Sequence, residues 1–273
     1  MRFSALALFL GSFGLFVACG TDPGPAPADG RDASVLPRTD GAVSTDDGGS
    51  NDAALAKDAG DILGTLSGMC GVLAPELTKP TPSLFDNTVA FVAGESYVRD
   101  ALSEGGKVLY DTPNAGGSST ESEVMSYEVL RYCDGAKLLK TETQIQYAAP
   151  GDSGGNPITD ILLEIDGKKI GVSVTRAYKP ANLGYTDADA QTLLMKKLGD
   201  INLSSKRVLP ADKWSKQILH VFTATQAQTD SVHRVWAALD AATKADTIVV
   251  VTRTTGGGFI YCNPDPPLGA ECN

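Results

Sequence analysis

The clearest pattern of apolar and polar positions lies in residues 159–178, TDILLEIDGKKIGVSVTRAY, where two apolar runs flank the polar tetrad Asp166-Gly167-Lys168-Lys169. Asp-Gly between two such runs predicts a hairpin with a tight turn. Strand side chains alternate, so Asp160, Leu162 and Glu164 share one face of the first strand. Ser173 and Thr175 share one face of the second, and Ile170, Val172 and Val174 pack the other. Residues 217–223 and 247–252 are nearly continuous apolar runs, as expected of strands covered on both sides. Helical spacing predicts a helix over 120–133, with Met125, Val129 and Tyr132/Cys133 as its apolar stripe. A second helix, over 188–198, carries Leu193, Leu194 and Leu198 and opens on a Thr186-x-x-Asp189 capping box. Val232, Val235, Trp236 and Leu239 mark a third.

Weaker signals predict short strands at 88–92 and 107–110 with a brief helix at 96–103 between them. A further strand is predicted over 136–147, in which Lys140, Glu142 and Gln144 alternate with Thr141, Thr143 and Ile145. Strands alternating with helices in the second half predict an α/β fold with at least one parallel pair. The expectation is a single, three-layer-like domain over 62–273, a mixed central sheet flanked by helices.

The N-terminus changes the picture. Arg2 precedes an apolar run over 5–17, too short to span a bilayer and ordered as in a secretory signal. It ends in Phe16-Val17-Ala18-Cys19-Gly20, which resembles a bacterial lipoprotein signal, with Phe16 where that pattern usually has Leu. The resemblance implies that residues 1–19 are the signal and that Cys19 is acylated and becomes the mature N-terminus. Several acyl chains would give stable anchoring where one is marginal. The implied partner is therefore a membrane, and the implied location is the outer membrane, cell surface or periplasm. Residues 20–61 hold Gly, Pro, Ala, Ser, Thr and nine Asp against three basic residues. Such a segment cannot bury enough apolar surface to offset its ordering entropy, so it reads as a disordered acidic linker.

Four cysteines remain, and an even number in an exported domain predicts two disulfides with three possible pairings. Cys70 with Cys133 and Cys262 with Cys272 are the favoured ones. No two lie close enough in sequence to make a zinc knuckle. Net charge is −10 for the whole chain, of which the linker accounts for about −6. Without a basic block, nucleic acid is not the favoured partner.

Three motifs read as structural. Gly151-Asp152-Ser153-Gly154-Gly155 resembles the string around the nucleophile of trypsin-like proteases, but both histidines, His220 and His233, follow the serine instead of preceding it. His220 lies within an apolar strand and reads as a satisfied core histidine; His233 reads as a surface one. Gly256-Gly257-Gly258 is followed by neither Lys-Ser/Thr nor a helix and reads as a turn.

The polar positions around the hairpin carry the remaining chemistry. Helix, strand, acid-opened hairpin, helix, strand, helix, strand over about 120–252 resembles the core of the PD-(D/E)xK, or restriction-endonuclease-like, superfamily. That resemblance implies an acid on the first helix, an Asp opening the second strand and an acid-x-Lys pair on the third, set around a divalent metal. Glu123 matches the helix acid and Asp160 the strand Asp, whereas Ser173 and Thr175 stand where the acid and the lysine belong. Hydroxyls are weak ligands for a hard cation, and without the lysine nothing polarises the attacking water. Lys140 and Glu142, alternating onto one face of the neighbouring strand, are candidates to repair the loss. The candidate cluster is thus Glu123, Lys140, Glu142, Asp160, Ser173 and Thr175, with Glu123, Asp160 and Glu142 as metal ligands if it is catalytic. The expected role is a lipid-anchored protein whose nuclease-like domain serves binding or envelope structure, with no cofactor assured. The alternative is an exported, Mg2+-dependent nuclease with a rearranged site, and an unrelated α/β envelope protein is a third reading.

Overall fold

Seven strands form one mixed sheet in the order β1-β2-β7-β6-β5-β4-β3. They are β1 (Thr65–Gly68), β2 (Ser83–Ala90), β3 (Lys137–Thr141), β4 (Ile161–Ile165), β5 (Lys168–Arg176), β6 (Lys216–Thr223) and β7 (Ile248–Thr255). The helices are α1 (Glu104–Asp111), α2 (Thr120–Asp134), α3 (Asp187–Arg207), α4 (Gln226–Ala238) and the single turn α5 (Ala241–Lys244). These come from a computed structural model that describes residues 64–92, 98–115, 120–149 and 156–261. All lie in the compact unit Ser50–Asn273. The predicted lipidation at Cys19, the 20–61 linker, the 151–155 string and the Cys262–Cys272 pair lie outside the described residues.

The four central strands, β2, β7, β6 and β5, run parallel, and β5-β4-β3 forms an antiparallel meander on one side. Parallel strands need crossovers, and α3 and α4 supply two of them on one face of the sheet. The other face carries α1 and α2. A large core packs on each face, which makes three layers, and Ile145, Leu162, Val208 and Trp214 form a smaller third cluster. On the α1/α2 side Val124, Met125, Ile170, Val172, Ile218 and Val250 pack together. On the α3/α4 side Leu194, Leu198, Leu219, Val221, Val232 and Val249 do so. Every residue of β6 is buried, as its apolar run implied.

The hairpin forms as predicted. Asp166 (φ 48°) and Gly167 (φ 69°) take the left-handed conformations that a two-residue turn between twisted strands demands. The Thr186–Asp189 capping box is also present, with Asp189 N–H bonded to the Thr186 hydroxyl. Cys70 and Cys133 form a disulfide that joins the segment after β1 to the end of α2. Closing a loop of 63 residues stabilises the fold by roughly 4 kcal/mol in the chain-entropy account.

Two elements differ from the sequence expectation. Residues 107–110 are not a strand but the second half of α1, capped by Ser103, whose hydroxyl accepts from Gly106 N–H at 3.2 Å. Gly105 and Gly106 made the helix hard to see, and packing explains them. A Cβ on either would sit 2.2 Å from the Tyr127 hydroxyl or the Glu128 carboxylate of α2. The strand predicted over 136–147 ends at Thr141, after a register shift between Leu138 and Lys140, and a 3-10 turn, Glu142–Gln144, follows. Lys140 and Glu142 therefore do not share a strand face. Among the described residues no helix is long and apolar enough to cross a membrane.

Candidate functional site

Ligands of open parallel sheets gather at the carboxyl ends of the strands. Here that end is built by β5, which runs past the start of β4. Ile161 pairs with Val172, so β4 has no residue to offer the edge of Val174. Two charged side chains fill the gap. The Asp160 carboxylate accepts the Val174 N–H at 2.6 Å, and the Lys197 ammonium, from α3, donates to the Val174 carbonyl at 3.4 Å. One residue's main chain thus holds an acid and an amine side by side.

Asp160 keeps part of its surface open, but protein surrounds it on most sides. Desolvation pushes its carboxyl up to about 6; Lys197 opposes the rise, and Glu142 adds to it. Glu142, at the turn after β3, is buried, and its carboxylate accepts the Ala115 N–H. Burial raises its pKa as well, against that hydrogen bond. Glu123, in the first turn of α2, is also buried and accepts from the Asn114 amide at 3.0 Å. The route from Glu123 to Asp160 therefore runs through the consecutive residues Asn114 and Ala115 and then Glu142. Ser173 and Thr175 are buried on the α3 side of β5, and among the described residues neither hydroxyl has a hydrogen-bond partner.

Lys140 is directed elsewhere. Its ammonium lies 2.7 Å from Asp212, whose carboxylate also accepts the Gln146 N–H, so it closes the strand end near Val208. Glu164 pairs with Lys137 on the surface at 3.4 Å. Arg176 donates to the Ile260 carbonyl on the opposite face of the sheet.

Lys197 was absent from the sequence candidates, yet a signal for it existed. Ala190, Leu194, Lys197, Ile201 and Ser204 follow a 4-3-4-3 spacing, so the lysine sits on the apolar stripe of α3 instead of its solvated face. Among the described residues, no group of three His, Cys, Asp or Glu side chains is placed to hold a metal ion. Asp160 and Glu142 each already accept a main-chain N–H. The described side chains do not make a ligand set for the divalent ion that the superfamily resemblance implies.

His220 behaves differently. It is fully buried on β6, with Nδ1 2.8 Å from the Ser126 hydroxyl and Nε2 2.7 Å from that of Thr252. Thr252 in turn donates to the Asn87 side-chain carbonyl at 2.6 Å. That fixes the order of protons: Nε2–H donates to Thr252, and Nδ1 accepts from Ser126. Burial drops the imidazole's pKa to about 3. It is a neutral structural group, as its place in an apolar strand suggested. His233 is part-exposed, 2.7 Å from Asp86.

No family model matches the chain, and no solved structure does. The "AAC-rich mRNA clone AAC4 protein" of Dictyostelium discoideum is 40% identical over 167 residues, 59% of this chain and 24% of that protein. The matched region spans about a quarter of that relative's length.

Proposed function

We propose that the chain is a lipid-anchored envelope protein whose folded domain has a PD-(D/E)xK-like core turned from hydrolysis to binding or structural work. The observation that carries this is the use made of the two charges at Val174. In a hydrolytic centre of that type, the acid and the amine flank a metal and a water. Here both are engaged by the main chain of β5, and the positions of the acid-x-Lys pair hold Ser173 and Thr175. Lys197 supplies next to Asp160 the positive charge that a cation would otherwise supply. The order of elements from α2 to β7 and the mixed sheet support the kinship. The Cys70–Cys133 disulfide agrees with export, since such bonds persist in oxidising compartments. Anchoring rests on the resemblance of residues 1–19 to a lipoprotein signal and on an acidic spacer long enough to hold the domain off the membrane.

A second reading, metal-dependent nucleic-acid hydrolysis, is favoured by one fact: an amine does stand beside Asp160, delivered from a helix instead of the third strand. Incubating the purified domain with single- and double-stranded DNA and RNA plus Mg2+ or Mn2+ separates the two. The binding reading expects no cleavage; cleavage lost in both Asp160→Asn and Lys197→Met replaces it with the hydrolytic one. Anchoring is tested separately, by incorporation of a labelled fatty acid into the wild type and its loss in Cys19→Ser.

A further inference from the structure

We propose that the chain has a second binding site, for a neutral saccharide, in a cavity at the carboxyl ends of β5, β6 and β7 on the α1/α2 side of the sheet. It uses none of the residues of the Asp160 cluster and does not depend on the reading of that cluster. The cavity measures about 390 Å³ and is lined by Tyr178, Tyr261, Thr254, Thr255, Gly256 and Gly258, with Ala224. Pockets of this size with mixed apolar and polar walls are the usual form of small-molecule sites.

Three features select the ligand. The first is an aromatic platform held in place from behind. Tyr178, 36% exposed, stacks on Tyr261 with ring centroids 4.8 Å apart and an interplanar angle of 30°. Tyr261 is itself buried, and its hydroxyl is tied to Thr254 at 2.9 Å. A ring fixed in this way offers a large amphipathic surface with little conformational entropy left to lose. The second feature is polarity without charge. Threonine hydroxyls and the main chain of Gly256 provide donors and acceptors, and none of the described lining residues is ionisable near neutral pH. Burial and the neighbouring Tyr178 move the Tyr261 phenol further from ionisation. The third is what this lining rejects. A nucleotide or nucleic acid would bring phosphate charge into a site with no cation among its described lining residues, and phosphate neutralisation is the main source of affinity for such ligands. Arg176, two residues before Tyr178, is spent on the Ile260 carbonyl. A sugar ring meets all three conditions, with its C–H face on the tyrosine and its hydroxyls on the threonines and backbone.

The test is calorimetric titration of the full mature chain with chitotriose, cellotriose and maltotriose, with AMP as the charged planar competitor. At least one trisaccharide should bind saturably at millimolar concentration. Tyr178→Ala should weaken it about tenfold or more, whereas Tyr178→Phe should leave it unchanged. Equal binding by Tyr178→Ala overturns the proposal. So does failure of all three sugars to bind, or AMP binding that depends on Tyr178 while the sugars do not bind.

Discussion

Two polar centres sit in one sheet and differ in almost every respect that matters. His220 is sealed in the α1/α2 layer, with both ring nitrogens bonded and a chain of hydroxyls carrying the pattern on to Asn87. Asp160 lies at the carboxyl end of β5, part-open, with a second acid and an amine acting on it and, on the residues flanking Val174, two hydroxyls with no partner among the described residues. The first centre is neutral and complete. The second holds unlike charges whose balance burial has disturbed. A buried polar group with every valence satisfied is architecture; one with residual charge and idle hydroxyls is where a ligand finds something to do.

The largest effect should come from breaking the complete centre. His220→Ala removes a ring stacked on Phe222 at 4.5 Å, leaves Ser126 without its ring partner and leaves Thr252 bonded to Asn87 alone. A cavity, one orphaned hydroxyl and a shortened hydroxyl chain should cost about 3–5 kcal/mol in denaturant unfolding. The wild type should also lose stability in acid through this residue. Its folded imidazole resists protonation down to about pH 3, while the unfolded one takes up a proton near 6.5. The contribution is whole above about 6.5 and drains away as pH falls toward 3, and His220→Ala should flatten that part of the curve. A variant within about 1 kcal/mol of wild type would show that the network carries no stability.

Next in size is Lys197→Met. Removing the amine takes away the positive charge that offsets the desolvation of Asp160 and the repulsion from Glu142, which should destabilise the fold by about 1–2 kcal/mol at pH 7. The loss should shrink in acid as the carboxylates protonate. A thermal melt series between pH 4 and pH 8 measures it. A loss independent of pH would mean that the lysine's stem, not its charge, is what matters.

How much of this contrast was legible in the sequence follows from the range of the forces involved. Alternation and turn chemistry are local, so the hairpin, the apolar strands β6 and β7 and the neutral role of His220 could all be read from neighbours in the chain. Asp160 was identified for the same reason: it opens a strand. Lys197 is 37 residues away in sequence and reaches Asp160 only because α3 crosses over the sheet, and a Lys196-Lys197 pair on a helix looks like solvated surface until the 4-3 spacing is counted. Glu142 was chosen by strand alternation and joins the cluster by a 3-10 turn instead. Lys140 was chosen on the same alternation, but the register shift in β3 and the pull of Asp212 direct it elsewhere. The α1 segment was misread because Val108 and Tyr110 are strand formers, and the two glycines at positions 105 and 106 are explained only by α2.

Asp160→Asn should act in the opposite direction to the histidine change. An acid whose folded pKa is raised binds its proton more tightly folded than unfolded, so stability falls as pH rises from about 4 through 6. Asparagine keeps the carbonyl that accepts the Val174 N–H and stays neutral throughout. The variant should match the wild type below pH 4 and exceed it by about 1 kcal/mol at pH 7, the solvent on its open side reducing the gain. Urea midpoints at pH 4 and pH 7 decide it. A variant weaker than wild type at pH 7 would mean that the Asp160–Lys197 attraction outweighs desolvation and that this centre, too, is architecture.

The smallest effect sharpens the comparison most. Ser173→Ala with Thr175→Val removes two hydroxyls that have no protein partner among the described residues and are not sealed from solvent. A hydroxyl that bonds only to solvent contributes little to the fold, so the double variant should stay within about 0.5 kcal/mol of wild type. The same exchange at Ser126 and Thr252 should cost well over 1 kcal/mol, because those hydroxyls complete the His220 chain. If residues 173 and 175 carry hydroxyls for a ligand, their loss should be silent in urea unfolding and visible only in binding. Should the double variant instead cost as much as the Ser126 and Thr252 pair, both centres would be the same kind of object, and the case for a site at Asp160 would lose its ground.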